Sequence, residues 1–186
     1  MSKQSSPKVI DTFDGTPNAF LSNFYPSEVR LGRHTCLSVE HGYQGAKTWN
    51  LEERAAIVSV TKKDGSPWPG EAKRLGRKCT MRPDWEEATA GSQDSALTKI
   101  AVMKYLIRQK FTIPELAIML ISTGDAELIE GNTWHDNFWG RCRCRGAFGN
   151  CPRITSAEGP EGLNWLGKVL METRRELWVV YGRRNK

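Results

Sequence analysis

The sequence predicts an α+β fold that is mainly helical, with a small β component, in one compact domain over residues 9–182. A chain of 186 residues suits a single domain. Apolar residues recur at helical spacing in several segments, whereas strand-like runs are few and short. Because strands and helices do not alternate along the chain, a doubly wound parallel sheet is not expected. We expect a flexible N-terminus over 1–8 and a basic tail over 183–186.

The first half of the chain predicts one strand, one hairpin and three helices. Ser38 is a favourable N-cap residue, and Val39, Tyr43 and Ala46 follow it at helical spacing. Pro69 can open the third helix because its missing N–H costs nothing at the first helical position. In chain order, the predicted elements are the strand 9–13, the hairpin 29–31 with 35–37, and the helices 38–50, 52–60 and 70–78.

The second half of the chain predicts three more helices, one short strand and a long irregular segment. Leucines 163, 166, 170 and 177 form the apolar face of the last helix. The segment 131–162 is rich in glycine, cysteine and arginine, and an irregular stretch of this length is usually functional or mobile. The predicted elements are the helices 96–110, 114–121 and 163–181, and the strand 126–130.

The charge of the chain is concentrated near its C-terminus. Lys and Arg number 27 against 21 Asp and Glu, and the segment 141–186 holds ten basic and four acidic residues. This clustering favours a phosphate-bearing partner, although a solubilising tail would have the same composition. Apolar runs are too short for a membrane span, and the first seven residues are polar, unlike a secretory signal. We therefore expect a cytoplasmic protein with no membrane partner and with reduced cysteines.

The helix after Ser38 carries the first candidate site. Glu40, Gln44 and Lys47 stand at i, i+4 and i+7, which places them on one stripe of an α-helix with His41 on its shoulder. Aromatic residues border this stripe, and partial burial there would shift the pKa of a carboxylate or an amine as catalysis requires. From spacing alone, a solvated helix face is the alternative interpretation.

The segment from Trp134 to Gly140 carries the second candidate site. Three aromatic residues surround Asp136 and Asn137 within seven positions. Aromatic faces can stack on planar bases, and a neighbouring carboxylate can bind sugar hydroxyls or stabilise an oxocarbenium-like centre. Composition alone fits equally well with an apolar plug beneath a loop.

The cysteines raise the question of a metal site. Cys142, Cys144 and Cys151 could join His135 as four ligands. Their C-x-C-x6-C spacing differs from the paired C-x2–4-C of common zinc sites, and the intervening arginines would repel a cation. We therefore predict no metal. The chain also lacks the glycine-rich loops and catalytic motifs of P-loop NTPases, kinases, dinucleotide-binding enzymes, zincins and α/β-hydrolases, and we predict no cofactor.

Several sequence blocks together resemble the NADAR family, also called YbiA-like. The blocks stand in the family's order and span about 13–178. They include Phe20–Phe24, Ser38–Lys47, Glu71–Arg77, Asp84-Trp85, Lys110-Phe111, Leu120–Glu130, Asp136–Gly140 and Leu163–Arg174.

The resemblance implies a compact, mostly helical fold and N-glycosidase activity, a hydrolase reaction that cleaves the bond between an anomeric ribose carbon and nitrogen. It implies phosphorylated ribosyl substrates: either riboflavin-pathway intermediates or ADP-ribose on guanine in nucleic acid, which would make the nucleic acid a partner. The catalytic residues that it implies are Glu40, Lys47 and Asp136. The substrate-binding candidates are Asn23, His41, Gln44, Trp85, Trp139, Gly140, Arg141 and Asn164.

Two mechanisms and three functions stay open from the sequence. Lys47 could attack the anomeric carbon and form a Schiff base, or Glu40 could activate water while Lys47 holds phosphate or a hydroxyl. The alternative to an enzyme is a non-catalytic domain that binds ADP-ribose or a modified nucleotide. A metal-held arm over 142–151 for a protein partner is the third interpretation. The sequence identifies no protein partner.

Overall fold

Six α-helices, three short 3-10 helices and six short strands form the described part of the chain, residues 8–87 and 98–184. In this computed structural model, side chains are described through residue 181. The chain divides into two compact units, and we describe each by itself. The central unit is Asn23–Ile113, and the terminal unit is Met1–Ser22 with Pro114–Lys186.

The central unit packs three helices around a short buried one. Strands β2 (Val29–Leu31) and β3 (His34–Cys36) form an antiparallel hairpin that leads into α1 (Val39–Gly45). Helix α1 packs against all three of the other helices, and residues Met103, Leu106 and Ile107 form the core beside it. These other helices are α2 (Leu51–Ser59), α3 (Pro69–Gly76) and α4 (Thr98–Lys110), with the 3-10 helix Pro83–Glu86 before α4.

The terminal unit combines two helices with two small parallel sheets. Strand β1 (Val9–Ile10) pairs with β4 (Glu127–Leu128), and β5 (Gly131–Asn132) pairs with β6 (Arg141–Cys142). The helices are α5 (Pro114–Ser122) and α6 (Trp165–Arg184), with the 3-10 helices Ala19–Leu21 and Ser156–Glu158. Helix α6 packs on both α5 and β4, and the buried guanidinium of Arg174 donates to Thr123 Oγ1 at 2.6 Å and to Ala126 O at 2.9 Å.

The predicted fold class and most predicted elements are confirmed. The architecture is α+β and mainly helical, with the hairpin in place and Pro69 at the start of α3. The predicted strands 9–13 and 126–130 are each two residues long in the structure. The described part contains no helix long and apolar enough to cross a bilayer. Some predictions fall outside the described residues. They concern most of the flexible N-terminus (1–7), the end of the basic tail (185 and 186) and Ala96, at the start of the predicted helix 96–110.

The prediction of one helix over 38–50 is wrong, because α1 ends at Gly45. The guanidinium of Arg54 donates to the carbonyl oxygens of Gly45 (3.2 Å) and Thr48 (2.5 Å from Nη2), which satisfies acceptors left at the helix end. Asn50 then caps α2, since its Oδ1 accepts the backbone N–H groups of Glu52 and Glu53. Both predicted helices are therefore present, but the first ends five residues earlier than expected.

Candidate active site

Helix α1 begins at a serine cap that also fixes His41. Ser38 Oγ accepts the backbone N–H of His41 and lies 2.8 Å from His41 Nδ1. Nε2 lies 3.0 Å from the carbonyl oxygen of Val60 and must donate to it, so Nδ1 accepts the Ser38 hydroxyl. Burial lowers the pKa of this fully buried imidazole, which keeps it neutral. The prediction that His41 binds substrate is therefore corrected: its ring anchors α1.

Glu40 and Gln44 form one buried hydrogen-bonded pair. Gln44 Nε2 donates to Glu40 Oε1 at 2.8 Å, and the two residues are 5% and 3% exposed. Asn23 joins them, because its carbonyl oxygen accepts the backbone N–H of Glu40 at 3.0 Å. The amide oxygens Asn23 Oδ1 and Gln44 Oε1 are buried, and neither has a hydrogen-bond partner within the described residues. Buried acceptors beside a carboxylate suit a ligand that carries hydroxyl donors.

A glycine on α3 shapes the surroundings of Gln44. A Cβ at Gly76 would lie 2.2 Å from Gln44 Oε1 and 2.8 Å from Gln44 Cβ. No larger residue fits there without displacing the amide that holds Glu40. Gly76 lies in the family block Glu71–Arg77, but nothing local indicates its role, because its contact is with a residue 32 positions earlier.

Lys47 lies two residues beyond the end of α1, so the predicted continuous helical stripe does not reach it. Its Nζ lies 5.4 Å from the centroid of the Tyr43 ring, and the residue is half-buried. Burial is the main cause that lowers the pKa of Lys47, and the charges of Lys73 and Arg77 add to it, while Glu40 raises it. Burial therefore holds the pKa of the Lys47 amine below the ordinary lysine value, and the charge of Glu40 partly offsets this shift.

Trp85 supports the aromatic side of this group. Its ring lies 5.2 Å from that of Tyr43 at an interplanar angle of 57°, and the residue is 2% exposed. The predicted stacking of Trp85 on a substrate does not fit this burial. Its ring instead packs against Tyr43, and the amine of Lys47 also contacts the Tyr43 ring.

On the terminal unit, Asp136 sits in a turn held by Asn132. Asn132 Oδ1 accepts the Asp136 N–H at 3.1 Å, and Asn132 Nδ2 donates to the Asp136 carbonyl at 2.7 Å. Asp136 Oδ1 in turn accepts the backbone N–H of Trp139 at 2.8 Å. Its Oδ2 accepts no hydrogen bond from any described residue. Asp136 is half-buried. Its carboxylate is therefore fixed through Oδ1, and Oδ2 can accept a hydrogen bond from a ligand.

Trp139 and Gly140 complete this turn. The Trp139 ring is half-buried and meets Phe138 edge-on at 5.1 Å. A Cβ at Gly140 would lie 2.0 Å from the carbonyl oxygen of Glu130, so only glycine allows the two backbone segments to approach. The contribution of Gly140 is this close packing, while Trp139 keeps an accessible aromatic surface.

Asn164 is a structural clamp, which corrects its predicted substrate-binding role. It is 1% exposed, and its Oδ1 accepts the Glu130 N–H at 3.0 Å while its Nδ2 donates to the Leu128 carbonyl at 2.9 Å. Its own N–H bonds the carbonyl of Gly140 at 3.3 Å. One buried side chain thus ties the start of α6 to Leu128 in β4 and to Glu130 just beyond it.

The arginines of the 131–162 segment are of two kinds: some pair with carboxylates, and others are exposed to solvent. Arg141 Nη1 lies 3.2 Å from Glu127 Oε1 and 3.3 Å from Glu161 Oε2, and Arg143 bonds Asp11 Oδ2 at 2.8 Å. These carboxylates neutralise both side chains, so the predicted contact of Arg141 with substrate phosphate is not favoured. Arg145 and Arg153 are exposed and remain suited to an anionic ligand.

The structure brings together the four residues that the sequence analysis rejected as metal ligands on spacing. His135 Nδ1 and the sulfurs of Cys142, Cys144 and Cys151 all lie within 4.8 Å of one another. The parallel pairing of β5 with β6, and not the C-x-C-x6-C spacing, draws Cys142 and Cys144 toward the loop that carries His135. Of the two arginines between these cysteines, Arg143 is paired with Asp11, whereas Arg145 is exposed. This cluster (residues 135, 142, 144 and 151) is called the Cys3His cluster below.

Comparison with known proteins identifies the family. Residues 12–178 match the NADAR domain. The chain belongs to the NADAR family. An N-glycosidase of Nostoc punctiforme is 32% identical over 164 residues, which cover 87% of this chain and 86% of that protein. The NADAR family thus contains a named N-glycosidase that is similar along nearly the whole chain.

Plant relatives and one solved structure extend the comparison. The riboflavin biosynthesis protein PYRR, chloroplastic, is 34% identical in Zea mays and 36% in Arabidopsis thaliana. The alignments cover 84% and 82% of this chain but 23% and 24% of those proteins, so the chain spans about a quarter of their length. The NMR structure of the E. coli protein YbiA matches with a TM-score of 0.70 at 25% identity, over 95% of this chain and 89% of that one. The predicted YbiA-like fold is confirmed.

Proposed function

We propose that this NADAR protein is an N-glycosidase that hydrolyses the bond between an anomeric ribose carbon and a nitrogen in a phosphorylated substrate. The observation that carries the proposal is the buried group on and after α1. There, Glu40 is held by Gln44 and lies within electrostatic reach of Lys47, whose pKa burial lowers. The similarity to an N-glycosidase along most of both chains supports the same activity.

The chemistry needs positive charge stabilised at the anomeric carbon and a nucleophile delivered to it. A buried carboxylate such as Glu40 can stabilise an oxocarbenium-like transition state. The buried amide oxygens of Asn23 and Gln44 can accept hydrogen bonds from ribose hydroxyls. Asp136 is a second proposed catalytic carboxylate because its turn holds one oxygen and leaves the other for a ligand.

Two routes use the same residues differently. In the first, the neutral Lys47 amine attacks the anomeric carbon as the C–N bond breaks, and the departing nitrogen takes up a proton. The ribose ring then opens to a Schiff base with Lys47. Water hydrolyses this Schiff base, which releases the sugar and regenerates the Lys47 amine. In the second, water attacks the anomeric carbon and gives a proton to Glu40, while the C–N bond breaks and the departing nitrogen takes up a proton. Charged Lys47 then binds phosphate or a hydroxyl.

Two substrate classes fit this proposal. One is ADP-ribose on guanine in nucleic acid, for which the exposed Arg145 and Arg153 provide positive charge. The other is a phosphorylated intermediate of riboflavin synthesis, which the similarity to plant PYRR proteins favours. A cytoplasmic location is part of the same proposal.

The test is a product assay with both substrate classes. The protein is incubated with a short DNA strand that carries ADP-ribosylated guanine, and separately with phosphorylated aminopyrimidine intermediates. Mass spectrometry follows the products beside Glu40→Gln, which keeps an acceptor for Gln44 Nε2. Release of ADP-ribose, lost in the variant, would identify a nucleic-acid repair hydrolase, and cleavage of only the small intermediates would identify a metabolite hydrolase. Binding of ADP-ribose without any cleavage would contradict the proposal and identify a non-catalytic binding domain.

A further inference from the structure

The Cys3His cluster has the dimensions of a tetrahedral metal site. Zn–S bonds of about 2.3 Å and Zn–N bonds of about 2.0 Å separate two sulfurs by about 3.8 Å and a sulfur from a nitrogen by about 3.5 Å. His135 Nδ1 lies 3.3 Å from Cys151 Sγ and 3.9 Å from Cys142 Sγ, which brackets the second value. All four ligand atoms lie within 4.8 Å of one another, so shifts of a few tenths of an ångström to about 1 Å would complete the tetrahedron.

We propose that the Cys3His cluster binds a structural Zn²⁺ ion through His135 Nδ1 and the thiolates of Cys142, Cys144 and Cys151. Three sulfurs and one imidazole are a ligand set that favours zinc over the hard cations Mg²⁺ and Ca²⁺. Four protein ligands fill the tetrahedron and leave no position for a substrate or a reactive water. The proposed role is therefore to hold the 131–162 segment and not to take part in the reaction.

Hydrogen-bond donors already point at two of the sulfurs. Asn137 Nδ2 lies 3.4 Å from Cys151 Sγ, and the backbone N–H of Cys144 lies 3.4 Å from Cys142 Sγ. Donors of this kind orient metal-bound thiolates and offset their negative charge. Asn137 is 1% exposed, and its Oδ1 accepts the N–H of Cys142 at 3.3 Å, so one buried amide supports two ligands.

His135 adopts a backbone conformation that is rare for residues other than glycine. Its φ of +68° lies in the left-handed region, which costs a residue with a Cβ about 1–2 kcal/mol. The turn that imposes this angle aims the imidazole at the cysteines. A metal bond to Nδ1 would offset the cost, which gives a physical reason for the strain at this position.

The charge around the Cys3His cluster is compatible with the ion. Three thiolates and Zn²⁺ carry a net charge of −1, which nearby arginines stabilise and do not oppose. Arg141 and Arg143 are in any case paired with Glu127, Glu161 and Asp11, so their guanidinium groups are held by carboxylates. Cys142 and Cys151 are fully or nearly fully buried, which does not suit an exposed redox thiol.

The test measures metal content directly. The full chain is purified under reducing conditions, stripped with a chelator, and titrated with Zn²⁺ against a chromogenic competitor. We expect one zinc per chain, a higher melting temperature in the zinc form, and three fewer thiols that react with a thiol reagent. Titration with Co²⁺ is expected to give the visible bands of tetrahedral cobalt and a thiolate-to-cobalt charge-transfer band.

Matched variants separate this site from adventitious binding. Cys144→Ser removes a half-buried ligand and is expected to weaken zinc binding at least about 100-fold, whereas Cys79→Ser, half-buried outside the cluster, leaves it unchanged. Wild-type protein that stays metal-free at equimolar Zn²⁺, with as many reactive thiols as the stripped protein, would overturn the proposal. A disulfide among Cys142, Cys144 and Cys151 in the reduced preparation, or equal zinc loss in both variants, would also overturn it.

Discussion

The group on α1 and the Cys3His cluster show two ways in which this chain positions buried polar side chains. On α1, local helix geometry places Glu40 and Gln44 four residues apart, and their hydrogen bond follows from that spacing. In the 131–162 segment, no regular element is longer than three residues, and side-chain bonds such as that of Asn137 to Cys151 set the geometry. The first arrangement is local in sequence, whereas the second depends on residues up to 16 positions apart.

The two groups suit different functions. The α1 group holds acid–base groups next to buried acceptors, which suits chemistry on a ligand. The Cys3His cluster holds ligands that face one another, which suits stabilisation of the segment carrying Asp136. Substitutions on α1 should therefore change catalysis with the fold intact, and substitutions that disturb the 131–162 segment should also change stability.

The largest effect is expected at Lys47. Replacing the amine by Lys47→Arg keeps the charge but removes the nucleophile, and should lower the rate of C–N cleavage by about 10³-fold or more if a Schiff base forms. Borohydride should trap a protein–sugar adduct in the wild type and in Lys73→Ala, a neighbouring lysine that serves as the control, but not in Lys47→Arg. An active Lys47→Arg with no trapping in the wild type would establish direct attack by water.

The pH dependence of the rate separates the same two routes. A nucleophilic Lys47 must be neutral, so activity should rise with pH up to its pKa and then level off. Burial lowers that pKa, so the plateau should begin below the ordinary lysine value of about 10.5. If charged Lys47 instead binds phosphate, activity should fall as pH rises through the same pKa. A profile of kcat/KM against pH distinguishes the rise from the fall.

A smaller loss is expected for Asp136→Asn. The amide can still accept the backbone N–H of Trp139 through Oδ1, so the turn should persist while the charge is lost. We expect kcat to fall about 10²-fold, the lower end of the range for acid–base groups, with an unchanged melting temperature. A fall in melting temperature with normal kcat would show that Asp136 has only a structural role.

Asn164→Ala should reduce stability more than substrate binding. The substitution leaves the Glu130 N–H and the Leu128 carbonyl buried without their partner, which should lower the free energy of unfolding by about 2–4 kcal/mol. Asn150→Ala, at an exposed position, is the control and should change it by less than about 0.5 kcal/mol. Urea denaturation measures both, and a raised KM without loss of stability would restore the substrate-binding role.

The smallest effect is expected on α3. Gly76→Ala should displace the Gln44 amide and lower kcat/KM about tenfold, which is about 1.4 kcal/mol of transition-state stabilisation. Gly70→Ala lies on the same helix with no atom within 4 Å of the added Cβ, and it should leave kcat/KM unchanged. Equal activity of the two variants would show that Gln44 does not position Glu40.

The sequence predicted features whose causes are local. The Ser38 cap, the hairpin, the Glu40–Gln44 pair and the opening of α3 at Pro69 depend on residues a few positions apart. The end of α1 at Gly45 was missed because the cap comes from the side chain of Arg54, nine residues on. A second cap residue, Asn50, was the one local sign that the helix is interrupted.

Features with distant causes were not predicted. The role of Asn164 comes from backbone groups about 35 positions earlier, and the burial of His41 comes from Val60 and the surrounding helices. The Cys3His cluster was named from its residue types but rejected on spacing, because nothing local indicates that β5 and β6 pair in parallel. Asp11 and Glu161, which neutralise the arginines, are also remote in the sequence.

The most direct test of the central claim compares binding with catalysis in Glu40→Gln. Single-turnover cleavage of the substrate found in the product assay is measured beside the affinity for that substrate, with His34→Gln on the β3 strand as a control outside the site. We expect Glu40→Gln to bind within about threefold of the wild type and to cleave at least about 10²-fold more slowly. Equal cleavage by Glu40→Gln and wild type would contradict the claim that the buried group on α1 is the catalytic centre.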